Sequence, residues 1–332
     1  MAEERTPVLE IKDLSVAYQT AAGLVNAVSD VNLTVYPEEI VGLVGESGSG
    51  KSTMAYAIMR LLKGDAFITK GQVRVMGQDV YALSPKELRL FRWQQMSMVF
   101  QSAMSALNPV MTVETQIIDT IRSHEPKISK AEALKRARDL LDVVRIDPKH
   151  MKSYPHELSG GMRQRVVIAI AISLNPGFVI MDEPTTALDV VVQRSILDQI
   201  REIQSHVHFA ILFISHDFSL VAELASRVAI MYAGRVVELT QGGTLTLGER
   251  HHPYTEGLLR AIPHLTADEV VIEGIPGSPP NLVTLPSGCA FHPRCPAVMN
   301  VCRTTRPRLY QGETGQAECH LFSSDEEAVQ HV

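Results

Sequence analysis

Ile40-Val-Gly-Leu-Val44-Gly45-Glu-Ser-Gly-Ser-Gly50-Lys51-Ser52-Thr53 decides the fold. Its first five residues are an unbroken apolar run, as in a strand buried on both faces of a parallel sheet. The next eight fit the pattern G-x-x-x-x-G-K-S/T. Glycines there let successive backbone N–H groups curl around phosphate oxygens, and the helix N-terminus that follows adds its dipole. Lys51 has the reach for β- and γ-phosphates, and Ser52 can offer its hydroxyl to Mg²⁺. Gly45, Ser47, Gly48, Ser49, Gly50, Lys51, Ser52 and Thr53 are therefore the candidate phosphate-binding set. A chance flexible loop is the bland alternative, and the position between an apolar strand and a helix over 53–62 argues against it.

The pattern extends outward from this strand–loop–helix unit. Residues 9–18 and 25–35 read as strands, as do Val179–Met181 and Ala210–Ser215, while 190–205 and 218–225 read as helices. Residues 227–238 look like a hairpin around Gly234. Residues 84–155 differ: Ser84 with Glu87 makes a capping-box start, and 129–144 is a charged amphipathic helix. The expectation is an α/β fold, a P-loop NTPase core of RecA-like type with an inserted helical subdomain.

Two further motifs carry chemistry. Phe178-Val-Ile-Met-Asp182-Glu183 ends an apolar strand in two carboxylates. In a phosphate-loop protein the strand-end Asp182 holds Mg²⁺, and Glu183 can act as general base on water. An acidic turn after a strand is common, so the pair gains meaning only beside the glycine loop. Leu158-Ser159-Gly160-Gly161-Met162 precedes a helix beginning near Arg163, with Ser159 as its cap and two glycines exposing backbone N–H groups to an anion.

Composition sets the class. The chain has 332 residues, formal net charge -6, 45% hydrophobic and 20% charged residues. That balance builds a sizeable core, excludes a disordered chain and argues against a nucleic-acid partner. The N-terminus lacks the basic start and apolar run of a secretory signal, and the longest apolar stretch, 166–181, is broken at Asn175, Pro176 and Gly177. The expectation is a cytosolic chain unless a partner carries it to a membrane. After about residue 245 the texture changes. Six prolines fall within 275–296, and all four cysteines within 289–319, spaced Cys289-x₅-Cys295-x₆-Cys302-x₁₆-Cys319. In a reducing compartment this suggests a metal more than disulfides. The gaps are wider than those of common zinc and ferredoxin sites, so spacing alone does not choose a metal.

Together these motifs resemble the ATP-binding cassette (ABC) ATPases over about residues 9–240. Their signature usually reads LSGGQ, and Met162 departs at the fifth position. The same family order meets Gln101 in Val99-Phe-Gln101, Asp189 in Ala187-Leu-Asp189 and His216 in Ile214-Ser-His216-Asp217. The resemblance implies a role for each residue. Tyr18 stacks on adenine. Gln101 touches the metal and attacking water and senses a transmembrane partner. His216 contacts the γ-phosphate, and Asp189 couples two sites across a dimer. Ser159 and Gly161 act in trans on the other subunit's nucleotide, with Gly160 in the same ATP-binding set. The catalytic set is Glu183, His216, Lys51 and Gln101, and the Mg²⁺ set is Ser52, Gln101 and Asp182.

His252-Pro253-Tyr254-Thr255, Leu258-Leu-Arg-Ala-Ile-Pro263, Thr186-Ala-Leu-Asp-Val190 and Met231-Tyr-Ala-Gly-Arg-Val-Val-Glu238 resemble the oligopeptide/dipeptide importer ATPases, D-subunit type. This resemblance implies an ATP-hydrolysing subunit at the cytoplasmic face of the membrane. It would pair with a homologous ATPase, dock on two permease subunits and serve an extracytoplasmic solute-binding protein. The same machinery also imports nickel and oligosaccharides, and a non-transport cassette ATPase is the remaining alternative. For Cys289, Cys295, Cys302 and Cys319 it implies a 4Fe–4S cluster, a staple for a coreless tail more than an electron carrier. Zinc and unliganded thiols stay open. The expected layout is a nucleotide-binding domain at 1–245, its helical subdomain at about 84–168, and a C-terminal module at 246–332.

Overall fold

A computed structural model describes residues 5–21, 23–101, 106–186, 188–246, 248–262 and 274–323. Its elements begin with β1 (Leu9–Thr20), β2 (Gly23–Val35), β3 (Ile40–Val44) and α1 (Lys51–Ile58). They continue with β4 (Ala66–Val75), β5 (Gln78–Asp79), α2 (Pro85–Gln94), β6 (Met96–Val99), α3 (Val113–His124), α4 (Lys130–Val143) and α5 (Gly160–Ala171). Then come β7 (Phe178–Asp182), α6 (Val190–Val207), β8 (Ala210–Ser215), α7 (Phe218–Leu224), β9 (Arg227–Tyr232) and β10 (Arg235–Gln241). The last are α8 (Pro253–Arg260), β11 (Tyr310–Gln311) and β12 (Gly315–Ala317). Packing divides the chain into two compact units, one of residues 1–10, 34–39 and 73–213, the other of 11–33, 40–72 and 214–332.

The first unit carries β6, β7 and most of β8 side by side. β6 pairs with β7 in parallel, Met96 opposite Phe178 through Val99 opposite Met181. All five residues of β7 are buried, so its side chains face packing on both sides. α5 covers this core with Val166, Val167, Ile168, Ala169 and Ala171. The helix starts are chemically marked. Ser84 makes the capping box with Glu87, and Thr112, Ser129 and Ser159 cap α3, α4 and α5. Each such cap satisfies an N–H that the helix cannot.

In the second unit the strand order is β11-β12-β10-β9-β3. β3 and β9 are parallel, Val41 opposite Arg227 through Val44 opposite Ile230. β9 and β10 form the hairpin expected around Gly234, with a register shift between Val236 and Glu238. α7 lies very close over β3: a Cβ on Gly42 would sit 2.0 Å from Val221 Cγ1. That approach explains a glycine inside an otherwise bulky strand.

Three expectations shift. The helix after the glycine loop runs Lys51–Ile58 rather than 53–62, because Gly50 at φ 105° is its N-cap and Arg60 has turned left-handed at φ 53°. α5 begins at Gly160, not near Arg163, because the Ser159 cap starts the helix at once. Residues 84–155 are not wholly helical, since they contain β6.

The candidate ATP site

In the second unit the glycine loop turns back on itself through Ser49 N–H donating to Glu46 O at 3.2 Å. A Cβ on Gly50 would lie 2.3 Å from Ala27 O, so only glycine lets the loop lie this close to β2. Lys51 is nearly buried, at 6% exposure. Its ammonium donates to Gly45 O at 2.7 Å, Glu46 O at 2.9 Å and Ser49 Oγ at 3.4 Å, which places its charge across the loop. Ser52 and Thr53 follow on the first turn of α1, and Thr53 Oγ1 lies 3.1 Å from the Tyr18 hydroxyl. That bond ties the expected adenine-stacking residue on β1 to the loop's helix. His216 is exposed, directly after β8, where Asp217 caps α7.

In the first unit Asp182 closes β7 and is wholly buried. Glu183 stands in the left-handed region at φ 48°, which turns the chain sharply off the strand. Its carboxylate accepts from Gln101 Nε2 at 2.7 Å and from Thr186 Oγ1 at 3.1 Å. Gln101 and Glu183, far apart in sequence, are thus brought together. Ser159 Oγ accepts from Met162 N–H at 3.2 Å, and Gly160 and Gly161 form the first residues of α5. A Cβ on Gly161 would stand 3.0 Å from Val192 Cγ1, and Val192 N–H donates to Asp189 Oδ1 at 2.9 Å. The signature turn and Asp189 therefore share one neighbourhood. Ala187 lies outside the described residues.

The C-terminal region holds groups that sequence reasoning missed. Glu238 on β10 is buried and accepts from His252 N–H at 2.9 Å, from the Thr255 hydroxyl and from His251 Nδ1 at 2.6 Å. Glu46, in the glycine loop, pairs with Arg294. The one signal was lexical: His252-Pro-Tyr-Thr255 recurs in a family, but its packing partners could not be read from it. Cys289, Cys295, Cys302 and Cys319 all line one small apolar cavity, with Phe291 and Pro307. Burial pushes the Cys319 thiol up to about 12, and it raises Cys289 and Cys295 too. Among the described residues no group of three or more His, Cys, Asp or Glu is set to grip a metal ion. Among them also no helix is long and apolar enough to cross a membrane.

The chain's sequence and fold also match known proteins. The profile of the ABC transporter family matches residues 28–186, and that of the oligopeptide/dipeptide transporter C-terminal region matches 238–302. The chain is 44% identical to the oligopeptide transport ATP-binding protein OppD of Salmonella typhimurium, over 90% of this chain and 89% of that one. It is 46% identical to the protein of that name from Mycobacterium tuberculosis, but spans only 50% of that longer chain. An ATP-binding cassette solved as a dimer in a post-hydrolysis state, bound to ADP and Pi, superposes with TM-score 0.62 at 27% identity, covering 70% of this chain and 98% of that one. The stretch that contains the phosphate loop and the tail as far as residue 302 both fall within matched regions, and the chain belongs to the ATP-binding proteins of ABC transporters, in their oligopeptide/dipeptide branch.

Proposed function

We propose that this chain hydrolyses ATP to power an importer of di- and oligopeptides, as one of two cassettes docked on two membrane-spanning permeases. The observation that carries the reading is the tail: residues 238–302 match the oligopeptide/dipeptide transporter region on a chain that also holds the phosphate loop. Lys51 and the amides of 45–50 would hold the triphosphate, and Ser52, Gln101 and Asp182 would hold Mg²⁺. Glu183 takes a proton from the attacking water while Gln101 orients both. The Gln101–Glu183 bond of 2.7 Å supports that assignment, because a base must be held in one direction to act on one water. Tyr18 stacks on adenine, His216 meets the γ-phosphate, and Ser159, Gly160, Gly161 and Asp189 serve the partner cassette's nucleotide. Positioning and charge then supply the catalysis. The layout is a nucleotide-binding domain over 1–245, with its helical subdomain at about 84–168, and a C-terminal module over 246–332.

The four cysteines fit a 4Fe–4S cluster. They converge on one cavity from turns distant in sequence, and its apolar walls suit a cluster shielded from water. When bound, the cluster would act as a cross-link for this tail.

The test is affinity purification of the tagged chain from membranes under anaerobic conditions, with iron counted and uptake of labelled peptides followed in parallel. Two polytopic subunits, a second cassette and about four irons per chain are expected. Recovery with permeases whose cargo is nickel or an oligosaccharide overturns the peptide assignment and keeps the importer. A metal-free chain without membrane partners overturns both.

A further inference from the structure

Glu46 is the second residue of the phosphate loop, and its N–H and its carboxylate are both held by the C-terminal region. Its backbone N–H donates to the Tyr254 hydroxyl at 2.9 Å. Its carboxylate receives Arg294 by two prongs, Nη1 at 2.7 Å and Nη2 at 3.0 Å. Arg294 is fixed in turn, with Nε donating to Pro276 O at 2.9 Å and its guanidinium 5.9 Å from the Tyr232 ring centre. Tyr254 is wholly buried and packs its ring on Tyr232 at 4.6 Å and Phe291 at 5.4 Å. The Arg294 side chain is 5% exposed and that of Glu46 26%. This is a rigid clamp, not a surface pair of the kind that salt dissolves.

A carboxylate inside a loop that must receive a triphosphate is an electrostatic fault unless its charge is answered, because like charges a few ångströms apart repel strongly away from bulk water. A two-pronged guanidinium answers the charge and also fixes its direction, which an ammonium cannot do equally well. The Tyr254 hydroxyl meanwhile holds the loop's backbone at the same residue. We propose that Arg294 and Tyr254 are positioning residues of the phosphate loop, which hold Glu46 by its carboxylate and its N–H so that the loop stays set for nucleotide and its one acid stays neutralised. The inference rests on reading residues 45–52 as the phosphate loop. Each acts through Glu46, the loop residue that it holds.

The experiment is equilibrium binding of Mg–ATP to the full chain, by competition with a fluorescent ATP analogue, joined to hydrogen exchange at the Glu46 amide. Arg294→Ala should weaken Mg–ATP binding within the range usual for coupled sites, about 5- to 150-fold. Arg294→Lys should recover part of the loss. Glu46→Gln in the Arg294→Ala background should recover most of it, since the unanswered charge is gone, and this non-additivity marks action through Glu46. A structural defect elsewhere would not be rescued so. Tyr254→Phe keeps the packed ring and loses only the hydroxyl, and should speed exchange of the Glu46 amide. It covers the case in which Arg294→Ala does not fold. Lys51→Ala is the control: parental affinity there sinks the phosphate-loop reading itself. Lost binding in Lys51→Ala, with parental affinity in Arg294→Ala and Tyr254→Phe and unchanged exchange at Glu46, overturns the clamp alone.

Discussion

At the scale of single residues, the site turns on a few side chains whose directions are set by backbone conformation. Glu183 follows a buried strand and turns left-handed at φ 48°, an uncommon state for a residue with a side chain. Such strain persists where the surroundings over-determine it, and here Gln101 and Thr186 both donate to the same carboxylate oxygen. A Glu183→Gln variant keeps the shape and removes the basicity. It should bind Mg–ATP with parental affinity while steady-state hydrolysis falls about 10²- to 10⁴-fold, the usual range for a general base. Phosphate release measured at saturating ATP checks this, and undiminished turnover would remove Glu183 as the base. What made these residues legible was locality: Gly45–Ser52 and Asp182-Glu183 are contiguous runs, and the first lends the second its meaning. Glu46 shows the limit. Inside the motif it is an unspecified position, and its meaning comes from Arg294, 248 residues away along the chain.

At the scale of elements, patterned segments were readable and unpatterned ones were not. β3 and β8 coincide with their apolar runs, and Ser84 and Ser129 start helices because a hydroxyl satisfies an amide left over at the first turn. β4 escaped because its run Ala-Phe-Ile-Thr-Lys-Gly-Gln-Val-Arg-Val is exposed for most of its length and carries Gly71, so that alternation with a buried face is confined to its last four residues. β6 escaped because four residues are too few for a period to show. The join between β10 and α8 is a third case, since its order is ionic. His251 is wholly buried, and both ring nitrogens face acceptors, Nδ1 toward Glu238 at 2.6 Å and Nε2 toward Thr244 O at 3.0 Å. Only the doubly protonated ring satisfies both. Burial opposes that charge, but the hydrogen bond and charge of Glu238 outweigh it, and the His251 pKa is raised. A raised histidine contributes stability that is full below its ordinary value of about 6.5 and is lost as pH climbs through the raised one. His251→Leu should cost about 3 kcal/mol at pH 6, the order of breaking a buried pair. Thermal melts of both proteins from pH 6 to 9 should show the gap narrowing upward; a constant gap would mean that the ring is neutral.

At the scale of the whole molecule, the second unit joins two unlike materials. Its strands bury Val41, Leu43, Val228, Ala229 and Ile230, a core dense enough to stand on hydrophobic burial. Residues 274–323 have short 3₁₀ turns at 292–294, 300–303 and 320–322, the two brief strands β11 and β12, and a small cluster of Ala317, Cys319 and Phe322. Their other apolar anchor is buried Phe291, packed against Tyr232 and Tyr254, and small modules with so modest a core usually rely on a cross-link to offset the entropy of ordering the chain. Among the ion pairs that anchor this one, two stand beside a cysteine: Arg294 next to Cys295 meets Glu46, and Glu318 next to Cys319 meets Arg235 at 2.6 Å. If a cluster on the four cysteines fastens the module, its loss should be felt first as melting and then, through Arg294, at the phosphate loop. Replacing Cys295 and Cys302 together by Ala should abolish bound iron and lower the melting temperature by about 3 °C, the shift that roughly 2 kcal/mol produces in a chain of this size. Mg–ATP affinity should fall in the same variant, by no more than in Arg294→Ala, because the clamp is the route. Anaerobic melts, iron analysis and nucleotide titration on one preparation decide it. Lost iron with an unchanged melting temperature would make the cluster a passenger, and a lower melting temperature with parental affinity would leave the staple in place but cut its link to the nucleotide.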